Sequence, residues 1–316
     1  SVCLEFRRVL FRSSASPGLA ESSTLNRSLE LAGTLPALMV AADRVAATVI
    51  QGVHGRRRVG QGDAFWQYRP YRDGDSASRI DWRQSARSRH LFVRETEWEA
   101  AASVWLWRDA SPSMHYASLR GLDTKAVRGE VIALALASLL TDASERVAVL
   151  GTGMRPITGR IAVRRVAETW LEESLDKSRT PPSLPPMVPL PAHGTVVLVS
   201  DWLDPLDRIE SVIRHYASAG VRGHIVQVLD PAEEDLPFEG HVKFEGLETE
   251  GQHTIRRVES VRAAYGARLA AQREGLQRLA RPANWTVHLH RTDRPPQTVL
   301  LALYLAMADL RRLNAA

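Results

Sequence analysis

The segment A-S-V-W-L-W-R-D-A-S-P-S (Ala102 to Ser113) is the most informative part of the sequence, because it joins an apolar run to a group of oxygen-bearing side chains. Residues 102–107 have the composition of a buried strand. Asp109, Ser111 and Ser113 follow at alternate positions, so their side chains can point into one crevice at the strand's C-terminal end. Carboxylate and hydroxyl oxygens suit a hard divalent cation. The pattern predicts a metal site, although a turn with a capping Asp or Ser has the same short sequence.

A second apolar run predicts another carboxylate at the same edge. Residues 195–200 read T-V-V-L-V-S and are followed by Asp201. The carboxyl ends of parallel strands lie along one edge of a sheet. We therefore expect Asp201 and Asp109 to converge on one crevice.

These residues resemble the von Willebrand factor A (vWA) fold, in which D-x-S-x-S follows the first strand, a middle loop supplies a Thr, and an Asp follows the fourth strand. The resemblance implies a Mg²⁺ site with four metal positions, at Asp109, Ser111, Ser113 and Asp201. No spacing selects the Thr among four candidates, Thr152, Thr158, Thr169 and Thr180. Trp202 stands where the commonest vWA pattern has Gly. The resemblance thus implies the fold together with an incomplete metal motif.

A longer series of motifs precedes the strand. Residues 60–95 contain, in order, G-Q-G-D-A-F, R-P-Y-R-D-G-D, R-I-D-W-R-Q-S-A-R and L-F-V-R-E. With the D-A-S-P-S-M that follows, this order resembles the bacterial vWA-like family catalogued as domain of unknown function 58, from residue 52 to the C-terminus. Members commonly accompany MoxR-type AAA+ ATPases. The resemblance implies such an ATPase and a protein client as partners, in assembly or chaperoning, with no shared enzyme chemistry.

The alternation of strand and helix patterns predicts a doubly wound, mainly parallel α/β sheet of the vWA/Rossmann-like type, with a small N-terminal β-containing elaboration. We predict helices over residues 35–50, 125–143, 163–175, 207–219, 260–279 and 298–313. We predict strands over residues 91–98, 102–107, 146–150, 195–200, 221–229 and 285–290, and a hairpin within 241–257. The proline-rich segment 178–191 is expected to be an extended connector.

The 316 residues suit one principal domain with a smaller elaboration. We assign residues 23–98 to an N-terminal helix and an Arg/Gly-rich elaboration, and residues 99–316 to the vWA-like domain. Residues 1–22 are basic and apolar without a signal-peptide pattern, and we expect them to be an artefact or disordered. The single cysteine, Cys3, excludes an internal disulfide and indicates a reducing, cytoplasmic compartment. No apolar run reaches the roughly 18 residues that a membrane span needs.

The segment 56–94 carries an alternative function. Its arginines alternate with aromatic residues, a combination that can bind phosphates and stack bases. Four aspartates also alternate with these arginines, namely Asp63, Asp73, Asp75 and Asp81. We therefore expect arginine–carboxylate pairing within the segment, and nucleic-acid binding is the alternative to protein interaction.

The sequence does not favour an enzyme. It has no G-x-S-x-G nucleophile turn and no phosphate-binding loop of the Walker type. His115 is expected to be a solvent-facing turn residue. His288 and His290 share a strand face, but no third metal ligand lies nearby in sequence. Arg108 is unusual in a buried strand; we expect it to reach solvent from the strand end, the alternative being a buried carboxylate partner.

Overall fold

The computed structural model describes residues 9–10, 37–50, 65–71, 80–88, 90–96, 102–176, 178, 180–246, 252–255 and 257–315. The chain divides into two compact units, one of residues 51–101 and one of all other residues. In the larger unit, residues 9–50 and 102–176 contribute strand β1 (Val9–Leu10), helix α1 (37–50), strand β4 (Ser103–Arg108), a 3₁₀ turn (Pro112–His115), helix α3 (Lys125–Asp142), strand β5 (Arg146–Val149) and helix α4 (Arg160–Leu175). In the smaller unit lie β2 (Phe65–Pro70), α2 (Trp82–Ser85) and β3 (Phe92–Thr96).

The second half of the larger unit continues the alternation of strands and helices. Its elements are β6 (Thr195–Ser200), α5 (Leu206–Ser218), β7 (Arg222–Leu229), α6 (Pro231–Asp235), β8 (Val242–Gly246), β9 (Gln252–Ile255), α7 (Glu259–Ala280), β10 (Thr286–Arg291) and α8 (Pro296–Ala315). The bounds lie within a few residues of those that the apolar patterns predict. The short helices α2 and α6 were not predicted.

A five-stranded parallel sheet is the centre of the larger unit. Its strand order is β10-β7-β6-β4-β5, and every neighbouring pair is parallel. The central strand β6 reads T-V-V-L-V-S and is buried along its whole length, as expected for a strand with helices on both faces of the sheet. The prediction of an α/β fold with a mainly parallel sheet is confirmed.

Helices lie on both faces of this sheet. Helices α3, α4 and α8 pack together on one face, and α5 and α7 pack together on the other. Trp105 and Trp107 point toward α5, where they join Ile209 and Tyr216 in a buried core. On the opposite face Gly129 of α3 approaches Val199, and a Cβ at residue 129 would lie 3.0 Å from a Val199 methyl. This close approach explains a glycine inside an otherwise apolar helix.

Arg108 points to the α3 and α4 face and does not reach solvent, so the expectation of a solvent-exposed strand-end arginine was wrong. Its Nε lies 2.8 Å from Oε1 of Glu130, and its Nη2 donates to Trp170 O at 2.8 Å and to Ser174 Oγ at 3.0 Å. The guanidinium also lies over the Trp170 ring. Partners from two helices therefore compensate the charge of this buried arginine.

The predicted hairpin is present, since β8 and β9 pair antiparallel. Val9 and Leu10 pair with Gly246 and Glu245 and extend this small sheet. The other residues of 1–22 lie outside the described residues, so our expectation for them stays a prediction. Residues 180–191 contain neither helix nor strand, as expected for the proline-rich connector.

Helix α1 belongs to the larger unit and not to the segment that follows it. It buries Ala42, Val45, Ala46 and Val49. Asp43 on the same helix accepts a hydrogen bond from Ser138 Oγ of α3 at 3.2 Å. Helix α1 therefore contacts α3 within the larger unit.

The smaller unit contains the antiparallel pair β2 and β3, with α2 between them in sequence. Asp81 accepts a hydrogen bond from Gln84 N at 2.9 Å and caps α2. The other three aspartates of the predicted pairing lie outside the described residues. Within the described ranges, no helix is long and apolar enough to cross a membrane.

Candidate functional site at the sheet switch point

The carboxyl ends of β4 and β6 form the switch point of the sheet. From β4 the chain passes to β5 at one edge, and it then returns to β6 on the other side of β4. The connections leaving β4 and β6 therefore diverge, and the region between them is called the crevice below. In open α/β sheets this is where ligands bind.

Asp109 fixes the loop that leaves β4. Its backbone N–H donates to Val199 O at 2.8 Å, which continues the ladder between β4 and β6. Its Oδ1 accepts from Ser111 N at 2.7 Å, and its Oδ2 accepts from Ser200 Oγ at 2.7 Å. One carboxylate oxygen thus holds the backbone of the loop after β4, and the other holds the side chain at the end of β6.

The four predicted site residues meet in one hydrogen-bonded cluster. Ser113 Oγ donates to Asp201 Oδ2 at 2.9 Å, and it lies 3.1 Å from Ser111 Oγ. Because the Ser113 proton is directed at Asp201, Ser111 is the donor to Ser113. All four residues are at most 1% exposed. The predicted convergence of Asp109 and Asp201 is therefore present in the structure.

Lys125 is a member of this cluster that sequence analysis missed. It is the first residue of α3, it is 0% exposed, and its ammonium donates to Asp201 Oδ2 at 3.0 Å and to Glu233 Oε1 at 2.6 Å. A lysine is locally unfavourable at a helix start, where the helix dipole is positive. This unfavourable placement is the sequence signal that could have identified Lys125 as a site residue.

Glu233 brings a third loop to the site. Asp230 caps α6 by accepting from Ala232 N at 2.8 Å, and Glu233 Oε2 accepts from Asp230 N at 2.8 Å. Asp230 Oδ2 also accepts from Ser118 N at 2.9 Å, which ties the loop after the 3₁₀ turn to α6. The sequence D-P-A-E (Asp230 to Glu233) is the signature of a capping box with proline at the first helical position. The start of α6 was thus detectable from the sequence, but the ion pair between Glu233 and Lys125 was not.

Burial shifts the proton affinities of this cluster. Desolvation, reinforced by the charge of Asp201, raises the pKa of Asp109 to about 7. Desolvation also raises the pKa of Glu233 to about 7, although Lys125 opposes the shift. Burial alone would lower the pKa of Lys125, but the charges of Asp201 and Glu233 outweigh it and raise that pKa. The Lys125 side chain therefore stays protonated and positively charged.

The arrangement does not fit a divalent cation. Each oxygen of Asp109 accepts a hydrogen bond, and Asp201 Oδ1 accepts from Leu203 N at 3.3 Å. Asp201 Oδ2 is taken by Ser113 and by the Lys125 ammonium, whose charge would repel a metal ion. Among the described residues, no group of three or more His, Cys, Asp or Glu is placed to hold a metal. The carboxylates predicted as Mg²⁺ ligands therefore make their hydrogen bonds within the protein.

Trp202 occupies a backbone conformation that favours glycine. Its φ is 54°, in the left-handed region, where a residue with a side chain is strained. The residue is fully buried, its indole N–H donates to Val226 O at 3.2 Å, and its ring packs near Trp107. Tertiary packing therefore maintains a strained conformation in the loop that carries Asp201.

Other predicted candidates lie apart from the cluster. Thr152 and Thr169 donate to Val149 O and Arg165 O, and neither joins the acidic cluster. His288 shares Thr286 Oγ1 with His224, at 2.8 Å from each ring nitrogen. His115 is exposed on the 3₁₀ turn, as expected.

The chain is similar to proteins of mycobacteria. It is 24% identical over 281 residues to the uncharacterized protein Mb1516 of Mycobacterium bovis, covering 84% of this chain and 86% of the relative. The uncharacterized proteins MT1527 and Rv1480 of Mycobacterium tuberculosis match to the same extent. No solved structure matches. The family described as protein of unknown function DUF58 matches residues 67–275, and the chain belongs to this family.

Proposed function

We propose that the chain is a non-enzymatic, vWA-like protein-interaction module whose recognition surface is the carboxyl edge of the five-stranded sheet. The partner in this proposal is a MoxR-type AAA+ ATPase, and the complex assembles or chaperones a protein client. The observation that carries the proposal is the meeting of Asp109, Ser111, Ser113 and Asp201 at the switch point, where open α/β sheets bind ligands.

The buried cluster supports recognition by holding three loops in fixed positions. It links the loop after β4, through Ser113, to the loop after β6, through Asp201. Lys125 then links Asp201 to Glu233 in the loop after β7. Loops that are already ordered lose little conformational entropy when a partner binds, which favours affinity.

An exposed apolar side chain lies on these loops. Leu119, 57% exposed, follows the 3₁₀ turn in the loop whose Ser118 N–H donates to Asp230. The buried centre of a protein interface is more apolar than its rim. Substitution of Leu119 therefore tests partner docking at the carboxyl edge.

Titration of the purified protein with the MoxR-type ATPase of its native host tests the proposal. Leu119→Asp should weaken binding at least about tenfold, because it places a charge in the apolar centre of the interface. Leu305→Asp is the matched control, since Leu305 is 41% exposed on α8, nine residues beyond the start of that helix. Equal affinities of wild type and Leu119→Asp, or loss of binding only in Leu305→Asp, would contradict docking at this edge.

One observation favours the alternative of nucleic-acid binding. Trp82 is 65% exposed, and Arg83 and Arg87 beside it are also exposed. An exposed indole beside arginines can stack on a base while the arginines contact phosphates. This alternative predicts that the protein binds single-stranded DNA, that affinity falls steeply with salt, and that Trp82→Ala reduces it. Binding that is insensitive to salt and to Trp82 would exclude it.

A further inference from the structure

The charge balance of the crevice depends on one internal cation. Lys125 is completely buried, and its ammonium contacts two carboxylates, that of Asp201 in the loop after β6 and that of Glu233 in the short helix α6. Both of these carboxylates are almost completely buried as well. Buried carboxylates need a compensating positive charge, and here a side chain of the protein provides it.

The position of the ammonium gives it a specific role. Asp201 Oδ2 receives the Ser113 hydroxyl at 2.9 Å and the Lys125 ammonium at 3.0 Å. One oxygen thus joins the D-A-S-P-S segment to the lysine. A cation that neutralised Asp201 at this oxygen would have to displace Lys125, whose second contact, with Glu233 at 2.6 Å, holds it in place.

The local sequence alone does not favour a lysine at this position. Lys125 begins α3, and the first turn of that helix contains no acidic residue. The helix start and the ammonium therefore present positive charge on the same side, which is unfavourable unless anions lie opposite. Asp201 and Glu233 supply those anions, and α3 and α6 thereby meet across the crevice.

We infer that Lys125 is a built-in substitute for a metal ion, so that the site at the switch point is complete without a divalent cation. The ammonium neutralises Asp201 and joins the loops after β4, β6 and β7. This role of Lys125 does not depend on the proposed partner. Metal binding and thermal stability, both measured on the protein alone, test it.

The wild-type protein gives the first test, with Mn²⁺ as the probe ion. Titration followed by water-proton relaxation should detect no Mn²⁺ site that depends on Asp201. The thermal unfolding midpoint should be the same with millimolar Mg²⁺ and with EDTA, because an ion that does not bind the folded state cannot stabilise it. Mn²⁺ binding by wild type that disappears in Asp201→Asn would overturn the inference.

Removal of the lysine gives the second test. Lys125→Ala leaves two buried carboxylates without a cation and opens space beside them, so its unfolding midpoint should fall and its Mn²⁺ affinity should exceed that of wild type at least about tenfold. Arg128→Ala is the matched control, because Arg128 lies on the same helix and pairs with Asp123 instead. That variant should gain no response to Mn²⁺. A stable Lys125→Ala protein without enhanced Mn²⁺ binding would overturn the inference.

A further pair of variants covers the case in which Lys125→Ala does not fold. Lys125→Met keeps the side-chain length but removes the charge, and it should unfold at a lower temperature than wild type. Adding Asp201→Asn removes an opposing charge and should restore part of that loss, as expected for coupled groups. A double variant no more stable than Lys125→Met alone would show that the lysine does not act through Asp201.

Discussion

Arg108 and Lys125 are both buried cations, and each is held by carboxylates from other elements. Arg108 follows the apolar core of β4 and meets Glu130, whereas Lys125 begins α3 and meets Asp201 and Glu233. Neither partner follows from the spacing of residues along the chain. At the scale of single residues, these pairings are what sequence patterns do not reveal, because each partner is far away in sequence.

The Arg108 ion pair has a measurable consequence for stability. Arg108→Met should lower the free energy of unfolding by about 3 kcal/mol, because it leaves Glu130 partly buried without its cation. The double variant Arg108→Met, Glu130→Gln should recover part of this loss. Urea unfolding of the four proteins in the cycle measures the coupling, and additive effects would contradict the ion pair.

The raised pKa of Asp109, about 7, predicts a dependence of stability on pH. From about pH 4 to about pH 7 the folded state keeps a proton that the unfolded state has lost, so the free energy of unfolding falls as pH rises. Asp109→Asn removes this contribution. From pH 5 to pH 8 the variant should therefore gain about 2 kcal/mol relative to wild type.

Denaturant unfolding at several pH values checks this expectation. Asp123→Asn changes an exposed acid at the same edge of the molecule and should give a profile parallel to that of wild type. An Asp109→Asn profile that also runs parallel to wild type would mean that Asp109 is ionised throughout this pH range.

At the scale of elements, close packing at the β10 edge of the sheet depends on one glycine. A Cβ at Gly223 of β7 would lie 2.0 Å from the Trp285 ring, and that ring donates its indole N–H to Val221 O at 3.2 Å. The tryptophan thus lies across the start of β7. Glycine is required at residue 223 because a side chain there would collide with the Trp285 ring, and not because of the backbone conformation.

Alanine substitutions at two glycines test this packing. Gly223→Ala should lower the free energy of unfolding by about 2 kcal/mol, since the strand or the indole must move. Gly266→Ala in α7 meets nothing within 4 Å and should raise it by up to about 1 kcal/mol. Thermal unfolding of both variants measures the difference, and equal effects at the two positions would contradict the packing at Trp285.

Most elements could be predicted from the sequence, because their apolar periodicity is strong. The buried strands and α3 are nearly continuous apolar runs, so their boundaries were found to within a few residues. Helix α6 is only Pro231–Asp235 and has too few residues for periodicity, although its capping box was visible. The acidic strand ends were found because parallel strands share one edge. Lys125 and Trp202 were not explained in advance, since burial and a positive φ are properties of tertiary structure.

At the scale of the whole larger unit, topology positions the site. The strand order places β4 and β6 side by side, and their connections leave in opposite directions. The three loops that meet there come from residues far apart in the chain, and a buried network of carboxylates, hydroxyls and one ammonium joins them. We propose this edge as the docking surface for the partner.

Hydrogen exchange of backbone amides, measured with and without the purified MoxR-type ATPase, tests this docking directly. We expect slower exchange on binding in the segments at the carboxyl edge, residues 110–124, 201–206 and 230–236, and unchanged exchange in the second half of α8. Protection confined to residues 51–101 or to α8, with no change in the three segments, would contradict it.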